Sequence, residues 1–329
     1  MKFLVLARKI SSNMNATESF EINLKSEELM RDQAKPLRTM LYVPANKEDW
    51  VRKAPKYGAD ALILDIEDSV PLDEKQNARE IVSRMVPELA AQGITVLVRV
   101  NDIDTGLTGE DVAYAVQEGL YAITLPMVKG PSDVKTLDAL ISSEEKNKGI
   151  DSGQILIDPG LETATGLRFA YEVGTSSDRI AHMGAGGGRG GDIARAVGYQ
   201  WTPEGTETLF IRSKVLLDAR AAGVPYPLTG LWQDIHDHEG LRAFAQHSRE
   251  LGYNGMTVIH PSHVPIVNEI FSPSEEEISE WQGLVASMKE IRERGGAAVS
   301  FQGGMVDIAH EKTALEMLDM ARALGLLDD

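Results

Sequence analysis

ALILDIED, residues 61–68, is a short apolar run that breaks into acids at Asp65, Glu67 and Asp68. The same form recurs along the chain. RTMLYVP (38–44) lies upstream, and TVLVRVND (95–102), AITLPMV (122–128), QILIDPG (154–160), RIAHMGAG (179–186), PYPLTGL (225–231) and MTVIH (256–260) follow. Several of the runs are almost wholly apolar, as strands buried on both faces of a parallel sheet must be. Between them lie amphipathic stretches such as DEKQNAREIVSRMVPELAAQG (73–93) and ETLFIRSKVLLDARAAG (207–223), each ending in the glycine that a left-handed helix cap prefers. Eight alternating units of this kind predict a TIM (β/α)8 barrel. A doubly wound sheet is the competing architecture, but it usually stops near six strands and has no need of eight regular repeats.

The remainder of the 329 residues frames that barrel, expected over 37–271. Residues 1–36 read as a polar N-terminal extension. Residues 272–329 read as a C-terminal helical appendage or lid, with helices over EEEISEWQGLVASMKEIRERGG and HEKTALEMLDMARALG separated by an irregular AAVSFQGGMVD. The formal charge of -17, from 50 acidic against 33 basic residues, disfavours nucleic acid and anionic lipid as partners. Cysteine is absent, which excludes disulfides, thiolate metal sites and thiol catalysis. The start MKFLVLARKI lacks the apolar core of a signal peptide, so a cytoplasmic location is expected.

In a TIM barrel the chemistry gathers where strands end, so polar residues terminating apolar runs are the candidates. These are Asp65, Glu67 and Asp68 after the second run, Arg99 and Asn101 in the third, Glu162 after the fifth, Asp192 after the sixth and His260 at the eighth. Taken singly, each reads first as a solvated or paired surface charge. Taken together they form a ring of carboxylates around one arginine, self-repelling unless a cation or substrate completes it. Glu162 and Asp192, from adjacent units, suit Mg2+ or Mn2+, which leave coordination positions for water and substrate oxygens. Arg99 offers a planar fork to a substrate carboxylate. The expected ligand is a small oxyacid anion.

MGAGGGRGGDIARAVG (183–198) is glycine-rich, and Gly186, Gly188 and Gly191 satisfy GxGxxG. Its amides could approach an anion at a helix start, or its glycines could only permit a tight turn; a dinucleotide fold is disfavoured because no strand ending in an acid follows. His236 and His238 read as a helix start before they read as a metal pair, and His260 and His263 flank Pro261 in what reads as a structural turn. Trp50, Trp201, Trp232 and Trp281 are too scattered to form a stacking platform.

From Arg38 to about Gly325 the chain resembles the citrate lyase beta-subunit-like and malyl-CoA lyase group of the HpcH/HpaI aldolase superfamily. The stretches that carry the resemblance are RTMLYVPANKEDWVRKA, GADALILDIEDSVPLDEKQNAR, VRVND, LETATGL, RSKVLLDARAAGVP, GYNGMTVIHPSHVPIVNEIFSPSEEEI and GGMVD. The resemblance implies a TIM barrel with Mg2+ or Mn2+ held by Glu162 and Asp192. It implies that Arg99 binds the carboxylate of the oxo-acid half, with Asp65 and Glu67 lining the site. It places Asp307 as an acid or base reaching across from a neighbouring subunit, and hence a homo-oligomer (dimer, trimer or hexamer). Two departures stand out. GAGGGRGGD replaces a compact Gly-Ala-Glu-Asp stretch, and Met127 follows Leu125 and Pro126 where the group usually has lysine.

The activity implied is cleavage or formation of a 3-hydroxyacyl-CoA thioester of malyl-CoA or citramalyl-CoA type, giving a 2-oxo acid and an acyl-CoA. One alternative is a CoA-independent class II hydroxy-keto-acid aldolase. Such enzymes use a histidine base after an early strand, and LDIEDSV has none. Another is a non-catalytic barrel that binds a small acid. Lys47, Arg52 and Arg189 are the candidates for CoA phosphates, each reading first as a plain surface charge.

Overall fold

A computed structural model of the chain describes residues 30–328. The parallel strands are β1 (Thr39–Pro44), β2 (Ala61–Asp65), β3 (Thr95–Arg99), β4 (Leu120–Leu125), β5 (Leu156–Pro159), β6 (Leu228–Thr229) and β7 (Gly255–Val258). They form one seven-stranded sheet in the order β5-β4-β3-β2-β1-β7-β6. Outside it pack α1 (Glu48–Lys53), α2 (Lys75–Ala90), α3 (Thr108–Ala115), α4 (Pro131–Lys148), α5 (Ala164–Arg168), α6 (Ala170–Gly174), α7 (Asp192–Val197), α8 (Thr206–Ala221), α9 (His238–Leu251) and α10 (His263–Phe271).

Two apolar layers follow from the strand period of two. Met40, Ala61, Ile63, Leu97, Ala122, Leu156, Ala181 and Leu228 fill the interior of the curl. Residues of the opposite parity, such as Leu41, Leu62, Leu64, Val96, Val98 and Ile123, pack against the helices. Buried strands that are apolar on both sides account for the near-continuous runs in the sequence.

The expectation of eight strands needs correction, because the ladder does not close. The sixth run, RIAHMGAG, lies between β5 and β6 but makes only isolated bridges, Ile157 to Ile180 and Gly160 to Gly184. On its other side the Leu228 amide donates to the Met183 carbonyl at 3.3 Å. Gly184 shows why no regular strand forms. A Cβ there would stand 1.5 Å from the Leu228 carbonyl oxygen, so the two backbones run closer than a pleated ladder permits. Gly184→Ala is expected to destabilise the protein by about 1–3 kcal/mol or more through this overlap, read as a lower urea midpoint; an unchanged midpoint would show that the seam yields freely.

Side chains join two backbone bonds, Ile157 amide to Arg179 carbonyl at 2.8 Å and Ala181 amide to Ile157 carbonyl at 3.1 Å, in tying this seam at its lower end. The fully buried Arg179 donates to Asp138 at 2.7 Å, to Glu145 at 2.6 Å and to the Ile155 carbonyl at 2.7 Å. Arg31 adds bonds to the carbonyls of Ala222 and Ser177. Of the N-terminal extension expected over 1–36, residues 1–29 lie outside the described residues. Met30 and Ala34 pack against the interior cluster.

Beyond α10 come α11 (Glu275–Glu293), an antiparallel pair β8 (Ala298–Phe301) and β9 (Gly304–Asp307), and α12 (Ile308–Ala323). Leu284, Met288, Val306 and Ala314 form a cluster of their own there. The stretch expected to be irregular is a hairpin. Gln302 and Gly303 both have positive φ, 47° and 83°, the handedness that a two-residue turn needs to match strand twist. Among the described residues no helix is long and apolar enough to cross a membrane.

Candidate active site

The interior parity continues upward from the apolar layer into a polar one. Register places Asp65 beside Arg99, Arg99 beside Thr124, and Thr124 beside Asp158, one residue from each of β2, β3, β4 and β5. This layer floors a cavity of about 430 Å³ at the C-terminal ends of the strands. Its rim carries Glu162, Asp192 and the glycine-rich loop through Gly186, Gly188 and Gly191. Of the residues singled out in the sequence, Asp65, Asp68, Arg99, Glu162 and Asp192 thus line one cavity. Glu67 and Asp68 sit with Asp102 and Asp192 in a second, smaller hollow beside it.

Arg99 is fixed by Asp65. Its Nε and Nη2 donate to the two carboxylate oxygens, both at 2.7 Å, while its plane stacks over Tyr42 at 4.8 Å. Asp65 also accepts from the Glu67 amide and from the backbone and hydroxyl of Ser69. Burial pushes its carboxyl up, but the Arg99 bonds and charge outweigh that and hold it below the ordinary range. Asp65 is therefore an ionised anchor, and the fork expected to face substrate has one edge already taken. The Nη1 edge remains, 2.8 Å from Glu67 Oε2. That contact is an ion pair without hydrogen-bond alignment, so Glu67 Oε2 is buried with no hydrogen-bond partner. Burial, with Asp68, Glu162 and Asp65 adding charge against the pull of Arg99, raises Glu67 to about 7.

Glu162 reaches the rim because Thr163 caps α5, its hydroxyl accepting the Gly166 amide. One of its oxygens accepts the Met127 amide at 3.1 Å. Met127 holds a left-handed φ of 55°, unusual for a residue with a side chain, and the kind of local strain that clusters at functional sites. Burial raises the Glu162 pKa, with Met127 and Arg99 opposing and Asp192 and Asp68 adding to it. Asp192 opens α7 and pairs with Arg195 at 2.5 Å. The donor set at this rim is all oxygen. Burial and neighbouring acids raise Glu162, which is what a carboxylate in a site built for a hard divalent cation shows without that cation. No group of three or more metal-ligating side chains occurs among the described residues.

Asp158 escaped the sequence reading. It follows Leu156 and Ile157 in the run QILIDPG, which pointed only to Glu162 beyond it, and the period of two counted from Leu156 turns it inward. Thr124 Oγ1 donates to it at 3.0 Å. Burial raises it to about 7, with Thr124 opposing and the Glu162 charge adding. An acid raised above its unfolded value binds a proton in the native state that the unfolded chain has lost, so stability falls as pH climbs from about 4 to 7 and is level above. In metal-free protein, Asp158→Asn is expected to flatten that fall, measured by urea unfolding across the pH series; an unaltered slope would place the titration elsewhere.

A model of the HpcH/HpaI aldolase/citrate lyase family matches residues 38–261. The chain belongs to that family. It is 31% identical over 291 residues to the citrate lyase subunit beta of Leuconostoc mesenteroides subsp. cremoris, covering 88% of this chain and 95% of that one. It is 32% identical to a (3S)-malyl-CoA thioesterase of Cereibacter sphaeroides, covering 90% and 98%. The solved structure of CitE from Mycobacterium tuberculosis in complex with magnesium, acetoacetate and coenzyme A matches with a TM-score of 0.66 at 26% identity, over 88% of this chain and 99% of that one.

For a member of the HpcH/HpaI aldolase/citrate lyase family, several singled-out residues fall away from the cavity. Asp307 lies on the C-terminal hairpin, exposed, as the N-cap of α12. The His310 hydrogen bond, with the amides of Ala309 and His310, holds it below the usual range. Asn101 faces α2 and α3 through Asp111, which also takes Arg79. His238 opens α9 behind the capping Asp237, and His260 bonds Ser262 in the turn before α10. Trp201 and Trp232 are not scattered after all; their rings meet at 5.5 Å, with Trp232 also against Phe244. They form packing, not an open platform, since Trp232 is buried. Arg52 is paired with Glu48 and Glu88, and Arg189 stacks on Trp201.

Proposed function

We propose that this protein is a divalent-ion-dependent carbon-carbon lyase acting on a 3-hydroxyacyl-CoA of malyl-CoA or citramalyl-CoA type, releasing a 2-oxo acid and an acyl-CoA or joining them. One observation carries the reading: Glu162, Asp192 and Arg99 open on a single cavity. Relatives named for citrate lyase and malyl-CoA chemistry, and a similar structure holding magnesium and coenzyme A, point the same way.

In this reading Glu162 and Asp192 hold the ion, Mg2+ or Mn2+. The bound ion would act as a Lewis acid on the carbonyl of the oxo acid. Asp65 locks the Arg99 plane, and the Nη1 edge, which faces Glu67 until substrate enters, takes the oxo-acid carboxylate, a charge-assisted contact that fixes which way the carbonyl faces. In cleavage, the hydroxyl proton passes to solvent water as the carbonyl forms. The bond from the carbinol carbon to the α-carbon of the thioester breaks, and its electron pair passes into the thioester enolate. Asp307, brought from a neighbouring copy on the C-terminal appendage, returns a proton to that carbon; in condensation its ionised carboxylate removes one. That geometry requires at least a dimer. Lys47 and Arg189 are the candidates for the acyl-CoA phosphates, since Arg52 is already paired with Glu48 and Glu88.

The test is a panel of malyl-, citramalyl- and citryl-type CoA thioesters with Mg2+ and with chelator. Metal-dependent release of an oxo acid is expected, and its absence across the panel would end the proposal. Asp307→Asn keeps the helix cap while removing the carboxylate. It should lower kcat by ~100-fold or more with ion binding and unfolding midpoint unchanged; normal turnover would dismiss Asp307 from the reaction.

A further inference from the structure

The layer that fixes Arg99 ends in an acid that the chemistry above leaves unused. Asp65 is saturated, accepting from Arg99, Ser69 and the Glu67 amide. Thr124 is committed to Asp158. Asp158 is not saturated: the Thr124 bond is its one hydrogen bond among the described residues, and its carboxyl opens on the cavity beside Met40, Tyr42 and Leu228. One step below on the same strand the interior position is Leu156, and on β4 it is Ala122, so nothing in the packing calls for an acid. A polar group placed in a low-dielectric interior costs stability unless something completes its bonding.

We propose that Asp158 determines specificity for the oxo-acid half of the substrate, and that this half carries a hydroxyl on the carbon next to its carbonyl. The inference rests on the lyase reading. With the carboxylate and carbonyl held on the side of Arg99 and Glu162, the remaining substituent has the Thr124–Asp158 floor to face. A methyl group there leaves the carboxyl half-satisfied. A second carboxylate meets Asp158 and Glu162 as like charges. A hydroxyl completes the bonding whichever way its proton points, because Asp158 donates when protonated and accepts when ionised.

The experiment compares 3-hydroxypyruvate with pyruvate, both as partners of acetyl-CoA in condensation with Mg2+ and as ligands in calorimetric titration. The native protein is expected to favour 3-hydroxypyruvate by ~10-fold or more in kcat/KM and in Kd. Asp158→Leu should abolish or invert that preference, Asp158→Asn should keep it, and Thr124→Val, which removes the group that orients the acid, should reduce it. Equal binding of the two acids by the native protein would overturn the inference. So would a preference that survives in Asp158→Leu, or, if that variant does not fold, one undiminished in Thr124→Val. Failure of the lyase reading looks different: no condensation with either acid, while Asp158-dependent tighter binding of 3-hydroxypyruvate persists.

Discussion

A Glu162→Gln protein is expected to lose turnover by ~10³-fold or more while becoming more stable in the absence of metal. The loss follows from the ion's part in polarising a carbonyl, several kcal/mol of transition-state stabilisation. The gain has a separate cause. Burial and the charges of Asp192 and Asp68 all disfavour the ionised Glu162 carboxyl. An amide of the same shape still accepts the Met127 N–H, now without like-charge repulsion. Mg2+ affinity, kcat and the urea midpoint of chelated protein would be measured together. Unchanged Mg2+ affinity would remove Glu162 from the ion's coordination, whatever happened to rate.

Replacing Arg99 acts through stability as well as rate. In Arg99→Met, Asp65 and Glu67 stay buried without their cation. Breaking a buried pair by deleting one partner costs about 3–5 kcal/mol. Arg99→Lys restores the charge but not the two-pronged contact with Asp65. It should recover most of the stability and little of the activity, with kcat/KM lower by about 10–100-fold for the lost charge-assisted contact. A Met variant as stable as the native protein would mean that Asp65 simply takes up a proton or water, and that the guanidinium does not anchor the layer.

Much of the barrel was legible because parallel strands buried on both faces have no choice but to be apolar, and β1 to β5 lie within or close to the runs that announced them. The sixth run failed for a reason its composition hinted at. Gly184 marks a place where two backbones touch, which apolar character alone cannot distinguish from a strand. The hairpin after α11 was missed because Gln302 takes a left-handed conformation that glutamine seldom adopts. In the site, acids that end a run stood out, whereas Asp158 did not, since its direction depends on parity rather than on position in the run. That Arg99 would be half-consumed by Asp65 was also beyond reach: it depends on the register of β2 against β3, which no local pattern encodes.

The unclosed seam between β5 and β6 has a mechanical meaning. A ring laced all round by backbone hydrogen bonds has a fixed circumference, and widening it anywhere means rupturing a row of them. Here the joint is fastened near its base by two backbone bonds at Ile157 and by the guanidinium groups of Arg179 and Arg31, and is sparsely laced above. The part of the wall with the fewest backbone bonds is therefore the part that carries the loop from Gly186 to Asp192, and widening there would break fewer of them than on the Asp65–Arg99 side.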